Sequence, residues 1–222
     1  MRRARSGSVL RDIDLAVKAR SPTNIVHPSL DLNSWMRRTP SCDEARPAKC
    51  PCCQAPSRPL GKALGLWGHG LRYRQQRGPM QPGAVPQILT VPLRRYWCRH
   101  CHAVLQVVPR GVLPHKHFAA AALVLALFLF GLQGLPVAQV RQQISPWTQL
   151  GLSAQGGWHT IKRWLLAQRQ GRLFPQVRAV PKDFTLRQVA QRVATTALSF
   201  APPGTWGLSP PERAFYGGAQ MA

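Results

Sequence analysis

Cysteine is the residue type whose spacing carries chemistry in this chain. Two short knuckles, Cys50-Pro51-Cys52-Cys53 and Cys98-Arg99-His100-Cys101, each hold two cysteines three positions apart. Such a pair curls both sulfurs toward one point, and a tetrahedral ion needs two such pairs. One C-x-x-C is a weak signal. Two of them, separated by residues 54–97 and flanked by strand-like sequence, predict a four-thiolate zinc site of Cys50, Cys53, Cys98 and Cys101. Four protein ligands leave no open coordination position, so the Zn2+ is read as structural. The spacing leaves open whether Cys52 replaces Cys50 or Cys53, and Cys42 reads as a free thiol. His100, His102, His115 and His117 read as surface or phosphate-contacting side chains rather than ligands. Lys49, Arg94, Arg95, Arg99 and His100 flank the knuckles. Positive neighbours stabilise thiolates and offset the negative charge of a zinc–thiolate cluster.

The whole chain is strongly basic. It has 30 Lys+Arg against 7 Asp+Glu, a net charge of +23, which draws a protein to polyanions such as DNA. Arginine far outnumbers lysine, a bias that a GC-rich genome also produces, so charge counts for more when joined to the zinc motif. The 222 residues allow one or two small domains, and 45% apolar content allows a core. With 21 Pro and 18 Gly, much of the chain reads as loop. Met1-Arg2-Arg3-Ala4-Arg5 is followed by no apolar run of signal-peptide type, so the chain reads as cytoplasmic, where thiols stay reduced and bind metal. The longest apolar run, 118–132, falls short of the roughly 20 residues of a membrane span, and reads as a buried helix with no membrane partner.

The elements that must position the cysteines make an α+β chain. A small β zinc ribbon over 49–114 precedes a helical, helix-turn-helix-like region over 115–171. The termini are poorly ordered: a basic, largely disordered arm over 1–48 and a tail over 172–222 with one helix at 186–198. Within 25–36 a strand or docking arm is expected. Strands are expected over 64–73, 88–97 and 103–108, with a loop at 77–86. Pro92 lacks a donor, so its strand is expected to be an edge or to be bulged there. A ribbon of about 60 residues has a marginal core, and zinc contributes about 10–16 kcal/mol to such folds. The Ala/Leu-rich stretch 118–130 predicts a helix that is apolar all round and must be covered on most sides. Shorter helices are expected over 137–143 and, from a Ser153 cap, over 154–170.

At about 100° per residue, Trp158, Ile161, Trp164 and Leu165 form an apolar arc, while Gln155, His159, Lys162 and Arg163 form a polar one. A recognition helix needs one face anchored and the other offering long donors to a DNA groove. With Arg94, Arg95 and Arg99, these four are the candidate DNA contacts. Leu166 interrupts the polar arc, and the connector 144–153 is long for a helix-turn-helix. An ordinary basic helix packed on 118–130 is the plainer alternative.

Several of these motifs recur together. Cys50-x-x-Cys53, Gly68-His69-Gly70 with Arg72 and Arg74, Arg94-Arg95-Tyr96-Trp97-Cys98-Arg99-His100-Cys101, Leu113-Pro114-His115 and Ile161-Lys162-Arg163-Trp164-Leu165 form a series. Over residues 49–170 this series resembles the zinc-ribbon and helix-turn-helix region of bacterial insertion-sequence transposases and a related uncharacterised bacterial zinc-ribbon family. The resemblance implies DNA binding at transposon ends; a transposase subunit or other protein is the partner expected if the chain is instead an interaction module. It does not carry over the nuclease, which needs a carboxylate triad on two metal ions. The only acidic residues are Asp12, Asp14, Asp31, Asp43, Glu44, Asp183 and Glu212, and no other catalytic constellation is visible. The expected function is therefore non-enzymatic, zinc-stabilised DNA binding. A protein-interaction module or transcriptional regulator is the alternative, and a catalytic transposase fragment ranks last.

Overall fold

The structure, a computed structural model, describes residues 24–147 and 157–222. Four strands form one sheet: β1 (Ile25–Val26), β2 (Leu66–Gly78), β3 (Gln87–Cys98) and β4 (Val104–Val107), in the order β1-β4-β3-β2. β2 and β3 are a long antiparallel hairpin, β4 adds antiparallel to β3, and β1 adds parallel to β4. The three strands read from the sequence are present. The first runs five residues further than expected, so the loop begins only at Pro79.

A strand lies within 25–36 as expected, and the expectation of a largely disordered arm over 1–48 is corrected for the rest of residues 24–48. β1 completes the sheet, and a short helix, α1 (Leu32–Arg37), follows with Asp31 as its cap, accepting from the Ser34 amide at 3.0 Å. Trp35 on α1 is fully buried, and its indole donates to the Pro92 carbonyl at 2.7 Å. One apolar anchor of this size secures a segment that otherwise reads as polar and proline-rich. Residues 1–23 of the expected arm lie outside the described residues.

At Pro92 the strand is an edge locally, as expected, although it is interior further along. β3 is an interior strand, but β4 pairs only with Arg94–Trp97, so Pro92 lies beyond that ladder and its missing donor costs nothing. The irregularity falls on β2 instead, between Gly68 and Leu71.

The helical half is built around α2 (Ala120–Gly131), where every residue but Phe130 is buried. A helix apolar on all sides needs cover on all sides. α3 (Val137–Ile144) supplies part of it, and the rest comes from the region expected to be a peripheral tail. That region holds two long helices, α5 (Leu186–Ser199) and α6 (Pro210–Gln220), which pack on α2 and on each other. Their approach is close: a Cβ on Gly218 would meet Val124 at 2.6 Å, and one on Gly131 would meet the Gln191 backbone at 2.7 Å. Both helices begin with reciprocal caps, Thr185 with Gln188 and Ser209 with Glu212. α4 (His159–Arg169) packs against α5 and places Trp164 edge-on to Phe118 at 5.1 Å. Its start at His159 is later than expected, and Ser153 and most of the 144–153 connector lie outside the described residues.

Trp35→Ala should lower the unfolding free energy by about 3–5 kcal/mol, as truncation of a buried Trp does. Denaturant titration reads this, and an unchanged midpoint would mean that the N-terminal segment does not hold the sheet.

Candidate metal centre

The two knuckles fold alike because each uses the same backbone turn. The Cys50 amide donates to Ala55 O at 2.9 Å and the Gln54 amide to Cys50 O at 2.9 Å. In the second knuckle the Cys98 amide donates to Ala103 O at 3.0 Å and the His102 amide to Cys98 O at 2.9 Å. Gln54 and His102 both take left-handed backbone, at φ 61° and 58°. This turn reverses the chain directly after each cysteine pair. The first knuckle precedes β2, and the second closes β3. The Leu66–Cys98 pairing and the hydrogen bond from the Arg99 amide to Gly65 O (2.9 Å) bring them to the same end of the hairpin.

The four expected sulfurs meet there. Cys50 Sγ lies 3.7 Å from Cys101 Sγ, Cys53 Sγ lies 3.7 Å from Cys98 Sγ, and all four lie within 4.8 Å of one another. A tetrahedron with metal–sulfur bonds of about 2.3 Å has edges of about 3.8 Å. The donor set therefore fits a tetrahedral ion with little adjustment. Cys50 and Cys98 are buried, Cys53 is half-buried and Cys101 is exposed, so the site sits at the edge of the sheet. Among the described residues this is the only cluster of three or more potential metal ligands.

Backbone amides prepare the site for anionic sulfur. Burial opposes the Cys50 thiolate, but the Cys53 and Cys52 amides and the neighbouring thiols donate to it, and its pKa falls to about 7. The Ala55 amide favours the Cys53 thiolate. Burial and the three sulfurs around it outweigh that, and its pKa rises to about 12. Without an ion the four sulfurs cannot all be anionic at neutral pH. An ion must displace protons to bind, so occupancy falls as pH falls.

Cys52 does not join the cluster. Its Sγ turns away to Asn24 Oδ1 at 3.0 Å, which closes the alternative left open by spacing. Cys42 is a free thiol packed under β2, where a Cβ on Gly68 would meet its sulfur at 2.5 Å. His100, His102, His115 and His117 are all exposed and outside the cluster.

The expected DNA contacts fall in two places. His159, Lys162 and Arg163 lie exposed on α4, opposite the buried Ile161, Trp164 and Leu165. Gln155 lies outside the described residues. Arg99 and Arg95 lie by the second knuckle, Arg99 exposed and Arg95 half-buried. Arg94 also serves the fold. Its Nε donates to Pro40 O at 2.9 Å, tying down the segment before the first knuckle. Sequence reasoning passed over Trp67, which frames this end of the sheet with Arg99, Trp97 and His102.

No family model, curated protein or solved structure matches this chain. Among the described residues no helix is long and apolar enough to cross a membrane.

Metal analysis of the purified protein should give one ion per chain. Cys98→Ser should abolish it, whereas Cys52→Ser should leave it intact. Loss of the ion in Cys52→Ser would place the ligand set elsewhere.

Proposed function

We propose that this protein is a zinc-stabilised DNA-binding protein without catalytic activity of its own. The observation that carries the reading is a closed four-sulfur site at the base of a sheet whose surroundings are basic without counter-charge. From Ala45 to Lys182 the chain has no acidic residue. The carboxylates directly before that tract in the chain are already engaged: Glu44 pairs with Arg38 at 2.8 Å, and Asp43 pairs with Arg46 and Arg58. Hydrogen bonds from Arg38 and Ser41 hold the Glu44 carboxyl down at about 2, so it stays anionic and paired.

Zinc is the ion favoured by four thiolates in a tetrahedron, and it does no redox chemistry there. Its part is to hold the knuckles together, which leaves recognition to arginine, lysine and histidine side chains. The exposed His159/Lys162/Arg163 face of α4 supports groove or phosphate contact, with the buried Trp164 and Leu165 fixing its orientation. The resemblance to insertion-sequence transposases makes transposon ends the class of DNA to test first. A transposase subunit is a second partner consistent with it. A reading as a protein-interaction module is favoured by one feature, the outer edge of β2, where Leu71 and Tyr73 are exposed.

Duplex affinity should fall steeply with salt, by about 10³–10⁵ between 50 and 200 mM for some 6–10 phosphate contacts. Lys162→Ala with Arg163→Ala should flatten the logarithmic slope by about 2. A salt-independent affinity, or retention of a protein partner with no retention of DNA, would favour the interaction module.

A further inference from the structure

The two faces of the sheet are treated differently at the knuckle end. Directly opposed residues of an antiparallel pair project from the same face, and alternate residues of a strand share it. One face carries Arg94 and Tyr96 of β3 with Leu105 and Val107 of β4, and the segment before the first knuckle closes it. Tyr96 donates to Cys42 O at 2.6 Å on that side. The other face carries Leu93, Arg95 and Trp97 of β3. Opposite them are Arg72 and Trp67 of β2, and Gln106 and Val104 of β4. It is sealed over Val91 and Leu93 but open toward the knuckles.

What stands on the open part is two indoles and a group of cations. Trp67 and Trp97 are register partners. Trp67 is 48% exposed, although a side chain of its size is normally well covered. The Arg99 guanidinium lies 5.0 Å from the Trp67 ring centre, and the His102 imidazole 5.4 Å from that of Trp97. Arg72 is exposed, and Arg95 is half-buried between the two rows. Among the described residues none of Arg72, Arg95 and Arg99 forms an ion pair.

We infer that this open sheet face is a stacking platform for single-stranded DNA, with Trp67 and Trp97 taking unpaired bases and Arg72, Arg95 and Arg99 holding the phosphates. This rests on the DNA-binding reading above and adds the strand state it prefers. Two chemical requirements select the occupant. The three guanidiniums without a carboxylate partner call for a polyanion. The indole faces call for flat π-systems, and every unpaired base offers one. In a duplex those faces are already taken by neighbouring base pairs, so a duplex satisfies the arginines but not the tryptophans. The metal centre is coupled to the platform through the chain. Arg99 lies between Cys98 and Cys101, and His102 directly follows Cys101, so an ion that fixes the second knuckle also fixes the guanidinium and the imidazole beside their rings.

The test is fluorescence anisotropy of the zinc-loaded full chain with a labelled oligo-dT strand and with a duplex of the same length. Trp67→Ala should weaken single-strand binding by about 5-fold or more, the effect of losing one stacked base. Duplex affinity and metal content should be unchanged, and Trp67→Phe should restore single-strand binding. Arg72→Ala should weaken both. Equal losses of Trp67→Ala on strand and duplex, or no loss on either, would overturn the platform. Displacement of oligo-dT by polyglutamate as readily as by unlabelled oligo-dT would overturn it in favour of an acidic protein partner. Failure of the wild-type chain to bind either form would overturn the DNA-binding reading itself, whereas duplex binding together with single-strand binding indifferent to Trp67 would remove only the platform.

Discussion

Four sulfur atoms brought within 4.8 Å of one another set the terms for the sheet half of this molecule. Cysteines from two knuckles, one before the long hairpin and one at its end, have to converge. Once they do, the register of β2 against β3 is fixed from Leu66–Cys98 outward. The same convergence pulls in the chain before Cys50. Cys42 then lies under Gly68, the Tyr96 hydroxyl reaches the Cys42 carbonyl, and Trp35 covers Pro92. The sheet buries Trp35, Leu66, Val91, Leu93, Tyr96, Leu105 and Val107 but leaves part of one face and one edge open. An ion held by the four sulfurs would add to what apolar burial contributes.

The helical half depends on a different constraint. α2 is buried along nearly its whole length, so it works as a central post rather than a surface helix. Gly218 against Val124 and Gly131 against the α5 backbone show how small residues let the surrounding helices reach it. Gly78, where a Cβ would collide with Ala122, brings the end of β2 against the same post. The two halves thus share a boundary at Gly78 and Phe118. Trp158 and Trp164 also gather there, on α4 and just before it.

Much of this was legible because the signals were local. Cysteine spacing pointed to the ligand set, since the geometry of a C-x-x-C turn is decided within six residues. The 3.6-residue period placed Ile161, Trp164 and Leu165 inside and His159, Lys162 and Arg163 outside on α4. What was missed depended on distant contacts. Residues 37–48 look like a tail, and the docking arm read within 25–36 has no visible target until Trp35 meets β3. α6 looks like proline- and glycine-rich sequence until Gly217 and Gly218 are seen as points of close approach. Its start is nonetheless written in Ser209-Pro210-Pro211-Glu212, a capping box with prolines at the first turn. That α2 must be covered on all sides follows from its residues alone. That the C-terminal region supplies the cover does not, because the partners lie more than fifty residues away in the chain. Trp67 escaped notice because its meaning comes from its register partner and from a guanidinium thirty-two positions later in the chain.

The molecule divides its labour accordingly. Cysteines hold the sheet, small residues hold the helices, and basic side chains with indoles are left facing outward in a tract free of carboxylates. The claim on which all of this turns is that one zinc ion sits inside the four sulfurs. X-ray absorption at the zinc edge of the purified protein tests it directly. Four sulfur scatterers at about 2.3 Å with no nitrogen or oxygen in the first shell are expected. A first shell with fewer than four sulfurs, or with nitrogen or oxygen in their place, would contradict it.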